Sequence, residues 1–247
     1  MTEEQNQNPL SGDPGAAAVA SPRRWWILVA LSLATTIIQF DQSGMTLALP
    51  HVQAELEATT QQLQWVMDAY SLALASVVLT AGAISDRYGR RKVFLLGIAV
   101  LATGSLIGAL APDANIVIAG RAVMGVGGAM FMPGTLSIIT HVFDRDTRPT
   151  AIGIWGAVTS LGVIIGPLIS GAVLQIWHWR GIFILNVVMA AIAFTGAAAL
   201  VPESRDPHSR HLDIPGALLA GVGLFGVSYA VIHSSSDGVT DTVVLAA

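Results

Sequence analysis

Apolar residues in this chain arrive in blocks of roughly twenty, each closed by a short charged or turn-forming stretch, and few folds accommodate that pattern. A helix rising about 1.5 Å per residue needs about twenty residues to cross about 30 Å of hydrocarbon. A water-soluble core has no use for blocks of that length repeated along the chain. We read spans over residues 25–49, 63–84, 93–111, 115–140, 150–174, 181–201 and 214–232, with the start of an eighth at Thr242. Composition agrees: 53% of residues are hydrophobic and 11% charged, against about a quarter charged in soluble domains. The expected fold class is all-α, a polytopic transmembrane helix bundle. Its divisions are a disordered polar tail over 1–22, a six-helix bundle over 23–201, a linker over 202–213, and an additional helix with the truncated start of the next over 214–247.

The cations test this count independently. Arg23, Arg24, Arg87, Arg90, Arg91, Lys92, Arg145, Arg148, Arg205 and Arg210 all fall on one side of the alternation, Arg180 lies in an opposite loop, and Arg121 lies within a span. Cytoplasmic loops carry the excess of Lys and Arg, so the N-terminus is expected in the cytoplasm. A seven-helix receptor with an outside N-terminus contradicts that asymmetry. A cleaved signal peptide is the rival reading of the first apolar run, and it is not expected, given the length of that run and the spans that follow it.

Other classes fall away on content. There is no basic field for nucleic acid, and the formal charge of -4 matters less than where the charges sit. With no cysteine, disulfides and thiolate chemistry are excluded. The histidines show no metal-ligand spacing with a third ligand, and no nucleophile elbow or phosphate loop is present, so no metal, no cofactor and no enzyme are expected.

After the second span the chain reads Gly82-Ala83-Ile84-Ser85-Asp86-Arg87-Tyr88-Gly89-Arg90-Arg91-Lys92. A tight turn at Gly89, cationic anchors against anionic lipid and a helix cap from Asp86 explain part of it. The whole string resembles the G-x-L-x-D-R-x-G-R-R signature of the major facilitator superfamily, with Ile84 in the Leu position. The resemblance implies that Gly82 permits close helix contact. It also implies that Asp86, Arg87, Gly89, Arg90 and Arg91 act in a cytoplasmic charge latch during alternating access.

Inside the fourth span, Arg121 is a lone cation in an apolar helix. An ionised side chain at membrane depth costs about 2.5 to 3.5 kcal/mol on insertion scales, so it usually faces the bundle and has a partner. Either it merely orients helices, or it handles protons. Depth supplies the partner: Arg121 lies about 9 Å from the outer start of its span and Asp41 about 12 Å from the same surface. Burial favours the neutral acid and a nearby guanidinium favours the carboxylate, so motion that separates the two would load a proton on Asp41. Asp68, about 8 Å deep in the second span, is a second acid for that role, or else a wet interfacial carboxylate near Trp65. The string from Arg121 to Gly127 resembles the family's R-x-x-Q-G-x-G pattern, associated with proton coupling, except that Met124 stands where Gln is common. Phe40 to Pro50 looks like the acidic first-helix motif of the drug:proton antiporters with fourteen helices.

The fifth span carries Gly162 and Gly166, a pair that lets helices approach closely, followed by Pro167, which frees a backbone carbonyl. With Gly171 this resembles the antiporter motif G-x-x-x-G-P-x-x-G-G, Ser170 replacing the first glycine of the closing pair. Trp179-Arg180-Gly181-Ile182-Phe183-Ile184-Leu185-Asn186 resembles the segment W-R-x-x-F-x-x-N that opens span six in the same group; an interfacial aromatic belt with one snorkelling cation is its general reading. Phe40, Met124, Phe131 and Met132 are candidates for a pliable substrate wall or for ordinary helix packing.

These resemblances imply a multi-pass protein of the plasma membrane. It would exchange protons for a small amphipathic or cationic drug-like molecule across the bilayer, as in multidrug efflux and antibiotic resistance. The stop at Ala247, inside an incipient span, raises a second expectation: a transport-incompetent half that acts through self-association or through a missing C-terminal half.

Overall fold

The computed structural model describes residues 22–204, 216, 219 and 221–227. Among them are six helices, α1 (Arg23–Leu56), α2 (Thr60–Tyr88), α3 (Arg90–Ala109), α4 (Ala114–Val142), α5 (Arg148–Ile176) and α6 (Arg180–Leu200). Each is long and apolar enough to cross a membrane. The connections run from the single residue Gly89 to the five residues 143–147, so consecutive helices run antiparallel. Residues 216, 219 and 221–227, inside the stretch read as a seventh span, are helical. The rest of that stretch, the tail 1–21, the segment 205–213 and the stretch from Thr242 lie outside the described residues.

Local chemistry sets the helix ends. Thr59 opens α2 with a capping box: its hydroxyl accepts from the Gln62 amide at 3.2 Å while Gln62 Oε1 accepts from the Thr59 amide at 3.0 Å. Asp113 opens α4 by accepting from the amides of Asn115 and Ile116 at 2.8 and 3.1 Å. The largest departure from expectation is α1, which runs through Pro50 to Leu56 rather than stopping at residue 49. Proline inside a membrane helix is tolerated because neighbours satisfy the freed carbonyl. Val52 on the added turns is fully buried, which holds them against the bundle.

Two helices form the centre. In their most apolar stretches α1 is 67% and α4 56% buried, against 22% for α2 and 17% for α5, whose outer faces are clothed in apolar side chains such as Leu79, Ile164 and Leu168. The α3–α4 seam is backbone against backbone. A Cβ on Gly104 would stand 2.7 Å from the Gly120 carbonyl, and one on Gly97 would stand 2.8 Å from the Gly127 carbonyl. Without a hydrophobic drive between helices in lipid, such close approach is how membrane helices gain van der Waals contact. α1 packs on α5 and α6, and α4 packs on α2 and α3.

Candidate functional site

Arg121 lies at the centre of the bundle, and its side chain is 0% exposed against 1% for Asp41. Its Nη1 donates to Asp41 Oδ2 in a buried ion pair. Its Nη2 donates to Gln42 Oε1 at 2.8 Å, its Nε donates to the Val66 carbonyl at 2.8 Å, and its guanidinium carbon lies 4.6 Å from the centre of the Tyr70 ring. On the other carboxylate oxygen, Asp41 Oδ1 accepts from Asn186 Nδ2 at 2.6 Å. Four helices therefore converge on one charge pair: α1 with Asp41 and Gln42, α2 with Val66 and Tyr70, α4 with Arg121, and α6 with Asn186. A guanidinium has donors pointing along a rigid fork, and here each edge of the fork meets an acceptor. Separating this pair without a substitute partner would leave a buried charge uncompensated.

The fifth helix supports the site from behind. A Cβ on Gly162 would meet Thr36 Cγ2 at 2.9 Å, and one on Gly166 would meet the Phe40 Cα at 3.3 Å, so both glycines press on the turns of α1 that carry Asp41. Ser170 is fully buried against Gly44. Higher on the same seam, Thr35 and Thr159 share a hydrogen bond of 2.9 Å, and the Trp155 indole donates to Thr35 at 3.1 Å. Gly171 departs from expectation. Nothing stands within 4 Å of where its Cβ would lie, so among the described residues it takes no part in this packing. Gly82 is similar in kind: a Cβ there would meet Pro133 at an ordinary 3.6 Å.

Asp68 is half-buried on α2, two residues before Tyr70, and the hydrogen bonds of Arg121 go to Val66, Asp41 and Gln42. Of the four residues named for a substrate wall, three are in helix packing. Phe40 lies under Gly166, Met124 lies against Gly104, and Phe131 stacks edge-on with Phe94 at 5.8 Å; only Met132, 43% exposed, presents a surface. The Met124 position also explains how the Arg121 shell is completed without the glutamine common there. Met124 is buried against α3, and the amide comes from Gln42 on α1.

At the end of the bundle where the cations gather, Asp86 accepts from Arg90 Nε at 3.0 Å, one helical turn across the α2–α3 link. Asp86 was expected to be free to cap α3. The cap comes instead from Glu203, whose Oε1 accepts from the Arg91 amide at 3.2 Å, while the Arg90 amide donates to the Ser204 carbonyl at 2.9 Å. Gly89 joins the two helices at φ 116°, where an L side chain is strained, and the Glu203 carboxylate fills the space a Cβ would need. Arg91 also donates to the Ala198 carbonyl, and Arg23 to the Ala199 carbonyl at 2.9 Å, so the end of α6 is tied to α1 and α3. Arg87 lies over its neighbour Tyr88, 5.6 Å from the ring centre.

At the opposite end Glu55, on the unexpected extension of α1, binds Arg180 and His178 and accepts from the Trp179 indole at 2.8 Å. Arg180 also donates to the Ala111 carbonyl at 2.9 Å. Trp179 is buried whereas Trp177 is exposed, so the aromatic segment is divided between a packed anchor and the surface. Gln42, Tyr70, Asn186, Glu55 and Glu203 were not singled out from the sequence. Gln42 and Asn186 lay inside strings already read as motifs. For Glu55 and Glu203 no local pattern signals a partner more than a hundred residues away.

The sequence profile described as Major Facilitator Superfamily matches residues 31–240. The chain belongs to the Major Facilitator Superfamily. This major facilitator chain is 34% identical over 233 residues to the multidrug efflux pump LfrA of Mycolicibacterium smegmatis, covering 94% of itself and 46% of that protein. It is 35% identical over 237 residues to the puromycin resistance protein pur8 of Streptomyces alboniger, covering 96% and 47%. Against the cephamycin export protein CmcT of Amycolatopsis lactamdurans it is 37% identical over 215 residues, covering 85% and 44%. It thus spans about half the length of the curated relatives it matches. Among solved structures its fold is shared by a peptide transporter POT in complex with sulfate, with a TM-score of 0.63 at 17% identity covering 89% and 48%. It is shared too by the human organic anion transporter MFSD10, with 0.63 at 17% covering 92% and 60%. The superfamily is one of membrane transporters rather than enzymes, and this chain is multi-pass.

Proposed function

We propose that this chain is the proton-handling bundle of an exporter that exchanges protons for small amphipathic or cationic molecules. The observation that supports this reading most is the buried Arg121–Asp41 pair with its shell of Gln42, Val66, Tyr70 and Asn186. An acid that carries protons must exist in both charge states at one site, and the pair gives Asp41 a reason to be ionised in one conformation. When the helices move so that Arg121 leaves Asp41 for a substitute acceptor, Asp41 is left in low dielectric and takes a proton to become neutral. The export direction rests on relatives named for efflux, puromycin resistance and cephamycin export, and on the Gly162-x-x-x-Gly166-Pro167 seam that presses on the Asp41 turns. Asp86, Arg90 and Glu203 act at the cytoplasmic end as a latch, with the N-terminus on the same side. Proton movement inward supplies about 2.3 kcal/mol per 100 mV of potential and about 1.4 kcal/mol per pH unit.

The full chain in proteoliposomes, loaded in turn with ethidium and with puromycin, tests this. One proton exchanged per molecule sustains about a tenfold gradient per pH unit. An imposed pH gradient is therefore expected to drive flux of at least one of the two in the native protein and of neither in Asp41→Asn. Gradient-driven flux in Asp41→Asn equal to that of the native protein would remove Asp41 from the mechanism.

A further inference from the structure

Asn186 stands where the proton of Asp41 would be made and broken, and half of its amide is unused. Its Nδ2 donates to Asp41 Oδ1 at 2.6 Å, while its Oδ1 is buried with no hydrogen-bond partner among the described residues. Asn186 itself is 0% exposed. A buried amide oxygen without a partner carries a desolvation penalty that a purely structural asparagine would ordinarily avoid.

We infer that Asn186 is a positioning residue for the Asp41 proton, its amide serving the carboxylate through Nδ2 and the carboxylic acid through Oδ1. The inference rests on the reading of Asp41 as proton carrier and assigns the partner that reading lacks. An ionised carboxylate only accepts hydrogen bonds, whereas the protonated acid carries one O–H donor. When a proton from the outer aqueous phase forms an O–H bond at Asp41 Oδ1, that oxygen becomes a weaker acceptor for the Asn186 Nδ2–H and carries a donor that needs an acceptor of its own. Turning the amide by half a turn about its terminal torsion puts Oδ1 in its place as an acceptor. No bond within Asn186 breaks, Arg121 keeps its charge, and release of the proton reverses the turn. Leucine, nearly the same size, serves neither state. Serine can serve both, since a hydroxyl donates and accepts.

The ionisable groups around this site come from α4 and α2. Arg121 of α4 bonds the other carboxylate oxygen, Tyr70 of α2 lies under the guanidinium, and Asp68 of α2 stands two residues before Tyr70. α5 contributes the neutral Ser170 against Gly44, one turn along α1 from Asp41. The donor from α6 is Asn186, and it is neutral, so it can favour either charge state without adding a charge of its own.

Infrared difference spectra of the full chain in lipid nanodiscs, taken between pH 5 and 9 and referenced to Asp41→Asn, follow the Asp41 acid carbonyl directly and need no substrate. In Asn186→Leu the midpoint of that band is expected to move upward by about one pH unit, because the charge-assisted bond lost by the carboxylate outweighs the neutral bond lost by the acid. Its frequency is expected to rise as well, because the acid O–H has lost its acceptor. Asn186→Ser is expected to restore both toward the native values. Coincident midpoints and frequencies in the native protein and Asn186→Leu overturn the inference, as do equal shifts in Leu and Ser, which report repacking. If the native chain shows no Asp41 band across the range, the proton-carrier reading itself fails.

Discussion

Each nitrogen of the Arg121 guanidinium donates to an acceptor, and that makes its environment testable as a unit. Asp41→Asn leaves the guanidinium buried with its charge uncompensated, at a cost of about 3–5 kcal/mol. In Asp41→Asn with Arg121→Gln the charge is gone from both sides, so thermal unfolding in detergent is expected to place the double variant above the sum of its single losses by about 1–3 kcal/mol. Strict additivity would mean that the pair is not coupled. At the other end, Gly89→Ala forces a side chain into φ 116° and into the Glu203 carboxylate. We expect a loss of about 1–3 kcal/mol in the same assay, with Glu203→Ala relieving part of it. The pair Asp41–Arg121 was legible in sequence because two charges at matched depth in lipid have few alternatives. Gln42 and Asn186 were not, because an amide inside an apolar helix is compatible with many partners and only the helix rotations decide among them.

Among elements, α5 shows how a motif divides by helix face. Gly162, Gly166 and Ser170 are spaced four apart on the side that meets α1, whereas Gly171 faces open space. Gly166→Val is therefore expected to abolish the α1 contact and reduce folded yield on size-exclusion chromatography, while Gly171→Ala leaves the elution profile unchanged. A defect of equal size in both would contradict the assigned face. Six helices and their order were legible because hydrocarbon thickness fixes their length. Their ends were less so: α1 outruns its apolar block by seven residues, Leu49 to Leu56, and is held there by Val52 burial and by Glu55 bridging to α6. Such contacts are long-range and leave no periodic trace.

For the whole molecule, the arrangement of cations states an orientation that the absence of native cysteine makes simple to measure. Single cysteines at Arg145 and at Trp177 lie at opposite ends of the bundle. In intact cells an impermeant maleimide is expected to label Trp177→Cys, and Arg145→Cys only after permeabilisation; the reverse pattern would invert the topology. The central claim, that Asp41 exchanges its proton as the bundle moves, is most directly tested by proton release in weakly buffered detergent solution. Addition of ethidium or puromycin to the full native chain at neutral pH is predicted to release protons, and addition to Asp41→Asn to release none. Equal release from the two proteins would contradict the account.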